Sequence, residues 1–543
     1  MNRNPMKNSK TVFAGTVCLA LTAGALAGCA GGGTQSSSAS SAPAATAAAS
    51  AAPSTQAAPT ASANLKASDK PVTASIHMHY YGTRVFDNEW EVFKKAAELT
   101  NVTLKGTASK SATNSDEVYN LMVAGGEIPD VVHFYISRLN QLGRDGGMMD
   151  LQPLIDKHAP HIKAYFEKHP DVKKAAQNIN GTLYAIPNVP DGQAQMGWFV
   201  RKDWLDKLGL QQPKTAADLY NVLKAFKEKD PNGNGKADEV PYFNREKRYG
   251  VYDLLALWDS YRWFYTKDGK ELFGPSEPQF KNAMVNMAKW YKEGLIDKEI
   301  FTRGNNARDI LLGDNLGGLT HDWFASTAGY NSKLKDKVTG LSFLPIAPPA
   351  SQQGVIKEWT ARTPYPDANV GWGISAKSKY SVELIKYFDF WFTEQGRTLM
   401  NYGIEGKTYT ISGGKPKLAD DLIKKDVVGE LNKIGALQSV GYPQDYEQEK
   451  QWTDPIALAG IEDYVKNNYI VAPVVPLKLE DADADRLSKL TGPLQTYVEE
   501  TMQKWVMGAE SVESGYDKFQ ARVKELGLDE ILKLRQAARD KMK

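Results

Sequence analysis

Residues 30–63 are drawn from Ala, Gly, Ser, Thr, Pro and Gln alone. With no charge and no large apolar side chain, such a run cannot bury enough surface to offset the entropy of ordering it. It reads as a flexible tether with an end-to-end reach of about 30 Å. The tether therefore separates a short leading segment from everything that folds. The chain as a whole has 543 residues, 42% of them apolar and 24% charged. That ordinary globular usage excludes a wholly disordered, fibrous or polytopic membrane protein. The two cysteines, Cys18 and Cys29, both precede the tether. The body can therefore hold neither a disulfide framework nor a cysteine metal site nor a thiol nucleophile.

Residues 1–28 read as a signal peptide. Arg3, Lys7 and Lys10 supply a positive start, and residues 11–26 form an apolar stretch too short and too rich in Gly and Thr to span as a membrane helix. The stretch runs into Leu26-Ala27-Gly28-Cys29. Small residues before a cysteine resemble the bacterial lipobox, which implies that Cys29 becomes a diacylated N-terminus and that residues 29–71 are a lipid-anchored flexible linker. Removing residues 1–28 takes away three basic and no acidic side chains, leaving 63 basic against 64 acidic. A balance so close to neutral gives no phosphate-tracking surface, so nucleic acid is not an expected partner.

Strand and helix patterns alternate along the body. Residues 72–81 are β-rich, Asp87 can cap a helix with Trp90, Phe93 and Ala97 on one face, and residues 102–105 are strand-like. A helical pattern over 116–124 leads through Gly125 and Gly126 into an apolar strand at Val131 and Val132. This order predicts an α/β fold with a mainly parallel sheet. The body is too long for one sheet, so two lobes are expected, and from Leu487 onward the pattern is almost purely helical. Thr215 and Asp218 are spaced as a capping pair ahead of the apolar stripe Leu219, Val222, Leu223 and Phe226.

That helix runs into Asp230-Pro-Asn232-Gly-Asn234-Gly235-Lys236-Ala-Asp238-Glu239. Oxygen-bearing side chains at loop positions 1, 3 and 5 and Gly at position 6 are the front half of an EF-hand loop. Asp230, Asn232 and Asn234 would converge on one centre, joined by the Lys236 carbonyl. Position 12 is Pro241 instead of a bidentate Glu, so Asp238 and Glu239 would have to close the shell. All are hard oxygen donors, which suits a structural Ca²⁺ and not zinc.

Other chemical motifs are missing. There is no GxxxxGK[ST] phosphate loop; Gly403-Ile-Glu-Gly406-Lys407-Thr408 is two residues short between its glycines. Neither GxSxG nor HExxH occurs. The pairs His77/His79 and His158/His161 read as structural or surface histidines. No carboxylate spacing singles out a glycosidase pair, and no catalytic residue is assigned.

Several segments together resemble the lipoprotein solute-binding components of ABC importers, family 1 type, in the branch similar to alginate- and oligosaccharide-binding proteins. They are residues 126–131 (GEIPDV), 180–187 (NGTLYAIP), 201–209 (RKDWLDKLG), the loop 230–239, 293–297 (EGLID) and 403–409 (GIEGKTY). The resemblance implies a two-lobe, type II periplasmic-binding-protein-like α/β fold with hinge crossovers. The first should fall just after Pro187, the return near 369–372, and a third after Tyr409. Residues 72–189 with 371–410 would form the N-terminal lobe, and 190–370 with 411–543 the C-terminal lobe. The resemblance also implies an extracellular, monomeric protein that is not an enzyme, captures an oligosaccharide in the interlobe cleft and hands it to an ABC permease. Its calcium ligands would be Asp230, Asn232, Asn234, Lys236, Asp238 and Glu239.

A sugar offers apolar faces to flat rings and hydroxyls to polar side chains. The candidates near lobe edges are His79, Tyr80 and its neighbour Tyr81, Tyr135, Trp198, Arg201, Trp263, Trp323 and Trp372. Trp372 lies between Gly371 and Gly373, small neighbours that would let a ligand approach. The competing readings are import of a non-sugar solute, a surface sensing or adhesion subunit, and a tethered glycoside hydrolase.

Overall fold

The computed structural model describes residues 65–81, 84–192, 194–247, 250–358 and 370–542. Residues 1–28, Cys29 and the tether as far as residue 64 lie outside the described residues. The expected linker ended at residue 71, yet residues 65–71 already belong to the body. Ala67 is buried, and its N–H donates to the Thr100 carbonyl at 2.9 Å.

The strands are β1 (Val72–Tyr80), β2 (Arg84–Val85), β3 (Val102–Gly106), β4 (Val131–Tyr135), β5 (Ile186–Pro187), β6 (Met196–Arg201) and β7 (Val240–Tyr242). They continue with β8 (Phe264–Lys267), β9 (Lys270–Phe273), β10 (Gly317–Trp323), β11 (Phe343–Ile346), β12 (Val370–Ile374), β13 (Tyr409–Ser412) and β14 (Lys415–Leu418). One sheet runs β2-β1-β4-β12-β5, with β3 also on β1; a second runs β11-β6-β10-β7. Each sheet carries its own hydrophobic core, so the body is two α/β lobes. Helices Asp481–Val506, Val512–Glu525 and Leu528–Lys541 pack their apolar faces into the second core, giving the helical C-terminal region.

The sheets are mixed and not mainly parallel. β1 is parallel to β3 and β4, each reached through a helical crossover. β12, however, is antiparallel to both β4 and β5, because it is a return strand that enters the first sheet from the other lobe. The chain passes between the sheets three times, after β5, between β11 and β12, and over 443–454. The last of these comes more than thirty residues after the expected place at Tyr409. Leu418, Leu422, Val427, Leu431, Ala436, Val440 and Tyr442 are all buried in the first core, so residues 411–442 pack with the first lobe and not with the second. Two crossings run side by side: the Val189 N–H donates to the Tyr442 carbonyl and the Gln444 N–H to the Val189 carbonyl, each at 2.9 Å.

Local signals act where the sequence puts them. The Thr215 hydroxyl accepts from the Asp218 N–H and the Asp218 carboxylate from the Thr215 N–H, both at 3.1 Å, closing the capping box of helix Ala216–Glu228. Leu219, Val222, Leu223 and Phe226 are its buried face. Asp87 does not cap the first helix, which begins at Glu91 after Trp90. Its carboxylate takes the Glu89 N–H at 3.0 Å and the Lys110 ammonium at 2.8 Å instead. Among the described residues no helix is long and apolar enough to cross a membrane.

Candidate functional site

In α/β folds ligands gather at the C-terminal ends of strands. In the first lobe those ends are Tyr80, the last residue of β1, Tyr81 just after it, and Tyr135 at the end of β4. Tyr81 is 55% exposed and sits in the left-handed region at φ 49°. Its ring lies 5.0 Å from Tyr80 and 6.2 Å from Tyr135, which is half-buried. Burial, then Tyr135 and Tyr80, raise the Tyr81 hydroxyl above its usual value. Tyr80 is the buried support of this group. Its hydroxyl accepts from the Ser439 N–H at 3.3 Å, and its ring lies 4.8 Å from His133.

In the second lobe β10 ends on Trp323, 41% exposed and paired across the ladder with Met196, the first residue of β6 after a crossover. Beneath it the polar residues are tied down. The buried Asp322 carboxylate accepts from Arg245 Nε at 2.9 and 3.1 Å and lies 3.5 Å from Arg308. His321 bridges Asp253 at 2.9 Å and Glu358 at 2.8 Å. Burial pulls that imidazole down, but the Glu358 and Asp253 carboxylates more than reverse it and hold it well above the usual histidine range. Asn244, which follows β7, donates to the His321 carbonyl at 2.8 Å.

Several candidates from the sequence are structural. Trp372 is fully buried in β12 and stacks on Phe388 at 4.5 Å. Its flanking glycines make room for backbone, not ligand: a Cβ at Gly371 would meet the Ile186 carbonyl at 2.4 Å, and one at Gly373 the Tyr184 carbonyl at 2.2 Å. Trp198 is buried against His321, with ring centroids 5.2 Å apart. Arg201 lies at the end of β6 away from the crossover. It is buried, forked onto Asp203 at 2.9 and 2.6 Å, and stacked 4.4 Å over Trp204. His79 is buried between Ser115 Oγ at 2.8 Å and the Ala112 carbonyl at 2.9 Å. Trp263 is half-buried and packs on Phe264 and Phe273 at 5.1 and 5.4 Å. The exposed rings at strand ends are thus Tyr81 and Trp323, with Tyr135 half-open beside the first. Asn244, Arg245, Asp253, Asp322 and Glu358 were not singled out from the sequence. The available signal was the polar pair Asn244 and Arg245, one residue beyond the short strand Val240–Tyr242.

The loop after helix Ala216–Glu228 is pre-shaped by its own turns. Asp230 accepts from the N–H groups of Gly233, Asn234 and Gly235 at 2.9, 3.1 and 2.9 Å, and Gly233 and Gly235 take φ of 75°. Asn232 and Asn234 each accept the N–H two residues on, and their amide nitrogens reach Asp238 at 3.1 to 3.2 Å. Glu239 is 1% exposed, and neither of its carboxylate oxygens meets a donor. Burial, then Asp230 and Asp238, raise it above the ordinary carboxylate range. A buried carboxylate beside two others without a donor is the environment that a cation relieves. No group of three or more His, Cys, Asp or Glu poised for a metal occurs among the described residues. A cation here would therefore also draw on amide and carbonyl oxygens.

The family model of bacterial extracellular solute-binding proteins matches residues 81–398. The chain belongs to this family. The Streptococcus pneumoniae fructooligosaccharide ABC transporter substrate-binding protein FusA is 25% identical over 83% of this solute-binding protein and 86% of its own length. The Bacillus subtilis polygalacturonan/rhamnogalacturonan-binding protein YtcQ is 25% identical, over 78% and 83%. Among solved structures, the alginate-binding protein AlgQ2 without calcium ion superposes with a TM-score of 0.73 at 42% identity. It covers 88% of this chain and 99% of that one. All three relatives carry the names of binding proteins: one for an ABC transporter's fructooligosaccharide, one for polygalacturonan/rhamnogalacturonan and one for alginate.

Proposed function

We propose that this protein captures an oligosaccharide between its lobes outside the cell and delivers it to an ABC permease without altering it. The observation that carries this reading is the pair of exposed rings, Tyr81 in one lobe and Trp323 in the other, each at a strand end. Flat faces from two sides suit the apolar faces of sugar rings, and a ligand held by both lobes binds the closed state more tightly than the open one. The carbohydrates named for FusA, YtcQ and AlgQ2 support the substrate class.

Cys29 would carry the lipid that holds the monomer at the membrane, with two or more acyl chains giving a firm anchor. Asp230, Asn232, Asn234, the Lys236 carbonyl, Asp238 and Glu239 would hold a structural Ca²⁺ that braces the helix–loop corner. The buried Glu239 carboxylate, whose oxygens meet no donor, supports that assignment.

The test is a thermal-shift and tryptophan-fluorescence screen against oligosaccharides. A bound sugar at about 100 times its Kd adds roughly 2.7 kcal/mol of stability. Recovery of the sugar unchanged after long incubation is the expected result. Appearance of shorter products would replace this reading with that of a hydrolase.

A further inference from the structure

Past the short strand β7, the edge of the second sheet is continued by side chains. β7 pairs in parallel with β10 as far as Tyr242 opposite Leu319. The Phe243 N–H adds one more backbone bond, to the Leu319 carbonyl at 3.0 Å. β10 runs on to Trp323, and the residues it passes, Thr320, His321 and Asp322, are all buried. Buried backbone groups need partners, and here side chains supply the bonds in chain order. The Thr320 hydroxyl donates to the Phe243 carbonyl at 2.6 Å. Asn244 Nδ2 donates to the His321 carbonyl at 2.8 Å, and Arg245 Nε to the Asp322 carboxylate at 2.9 and 3.1 Å. Asn244 is itself fixed, since its Oδ1 accepts the Glu246 N–H at 2.8 Å.

The chain is also held as it leaves Trp323. Asp322 Oδ1 accepts the Trp323 N–H at 2.7 Å, and the Phe324 N–H donates to the Gln195 carbonyl at 3.0 Å. The buried Arg308 guanidinium lies 3.5 Å from Asp322 Oδ2. Its Nη1 donates to Ser326 Oγ at 2.8 Å and Thr327 Oγ1 at 2.9 Å, both on helix Phe324–Ala328. Asp322 and Phe324 are thus buried and tied down on either side of a ring that is 41% exposed. A buried ion pair roughly breaks even against apolar packing, so stability alone is a weak reason to place two guanidiniums on one carboxylate. Fixing a direction is a better one. A ring on a rigid strand end loses less freedom when a ligand stacks on it.

We propose that Asn244, Arg245 and Arg308 are positioning residues for ligand capture: they clamp the end of β10 so that Trp323 stands as a rigid platform, and they act through that ring. The proposal rests on the oligosaccharide reading and adds to it what holds the second lobe's ring in place.

The experiment is a double-mutant cycle on Arg245 and Trp323. Binding is read by titration calorimetry with a fructooligosaccharide, an oligogalacturonate and an oligomannuronate, using whichever binds the unmutated protein. Arg245→Gln is expected to weaken binding by roughly three- to tenfold. In a Trp323→Ala background the same substitution should change it by less than about twofold. An equal loss with and without the ring would show that Arg245 acts on its own and would overturn the proposal. If Arg245→Gln does not fold, Arg245→Gln with Asp322→Asn, which removes both charges of the pair, takes its place with the same outcomes.

A ligand-free measurement accompanies the cycle. In protein labelled with fluorotryptophan, the Trp323 fluorine resonance is the one lost in Trp323→Phe. In Arg245→Gln that line should broaden or split while the other tryptophan lines stay as they were. A Trp323 line as sharp as before, or all lines broadened alike, would overturn the clamp and leave the oligosaccharide reading standing. If none of the three sugars binds the unmutated protein, the oligosaccharide reading falls, and the fluorine spectrum alone decides whether the clamp holds Trp323.

Discussion

The two lobes each end a strand in an exposed aromatic close to a buried histidine, and they treat that histidine in opposite ways. In the first lobe, His133 bonds the Ser439 carbonyl at 2.8 Å, and burial pulls it down to about 4. In the second lobe, His321 is as buried, but Glu358 and Asp253 flank it and hold it well above the usual range. Depth alone therefore does not decide the charge of a buried imidazole; the presence of carboxylates does. The first lobe offers a neutral aromatic end, the second a charged and braced one.

Breaking that brace should have the largest effect. Glu358→Gln leaves a buried imidazolium with one partner and should cost about 3–5 kcal/mol in urea denaturation. The stabilisation from His321 is fully present below the unfolded value near 6.5 and drains as pH rises through the raised folded value. The substitution should therefore flatten the alkaline side of the stability profile.

The opposite limb belongs to the first lobe. Between pH 6.5 and about 4 the unfolded chain takes up a proton that folded His133 refuses. Stability should fall on acidification by about 3 kcal/mol from this group, and His133→Gln should remove that part of the slope. A profile unchanged in both variants would dissolve the contrast between the lobes.

Smaller effects separate ligand contacts from supports. Trp323→Ala should weaken sugar binding by about 1–2 kcal/mol, read by titration calorimetry. Its cost in stability should stay under about 0.5 kcal/mol because the ring is exposed. Tyr81→Ala should behave alike in the other lobe, and an effect confined to one lobe would argue against two-sided grip. The smallest change expected is at Glu239. With a chelator present, Glu239→Gln should raise stability by about 1 kcal/mol by removing a buried charge that has no donor. With calcium present it should lower it, and equal melting curves in the two conditions would argue against a bound ion.

Elements built from near neighbours were legible before the fold was known. The capping box at Thr215 and Asp218 and the Asp230 turns of the loop 230–239 depend on groups within five residues of one another, and the apolar stripe behind the box lies on one helix. The two-lobe α/β architecture could be read from pattern and resemblance together. Sheet direction could not, because β12 takes its orientation from where it returns, not from its own residues. Nor could the extent of the first lobe, since residues 411–442 join its core through contacts with segments hundreds of positions away, such as the Ser439 carbonyl with His133.

The aromatics show the same division. The amino-acid sequence alone determined that rings, histidines and oxygen donors occur near strand ends, because side-chain chemistry and local hydrogen bonding travel with the residue. Only the tertiary structure decided which rings meet solvent. Trp323 and Trp372 both lie in strands, yet one is 41% exposed and the other fully buried. A strand's alternation assigns faces, while exposure depends on where the strand stops and what packs across it. Trp323 terminates an outgoing strand; Trp372 sits in mid-strand between two others, under a helix that covers it.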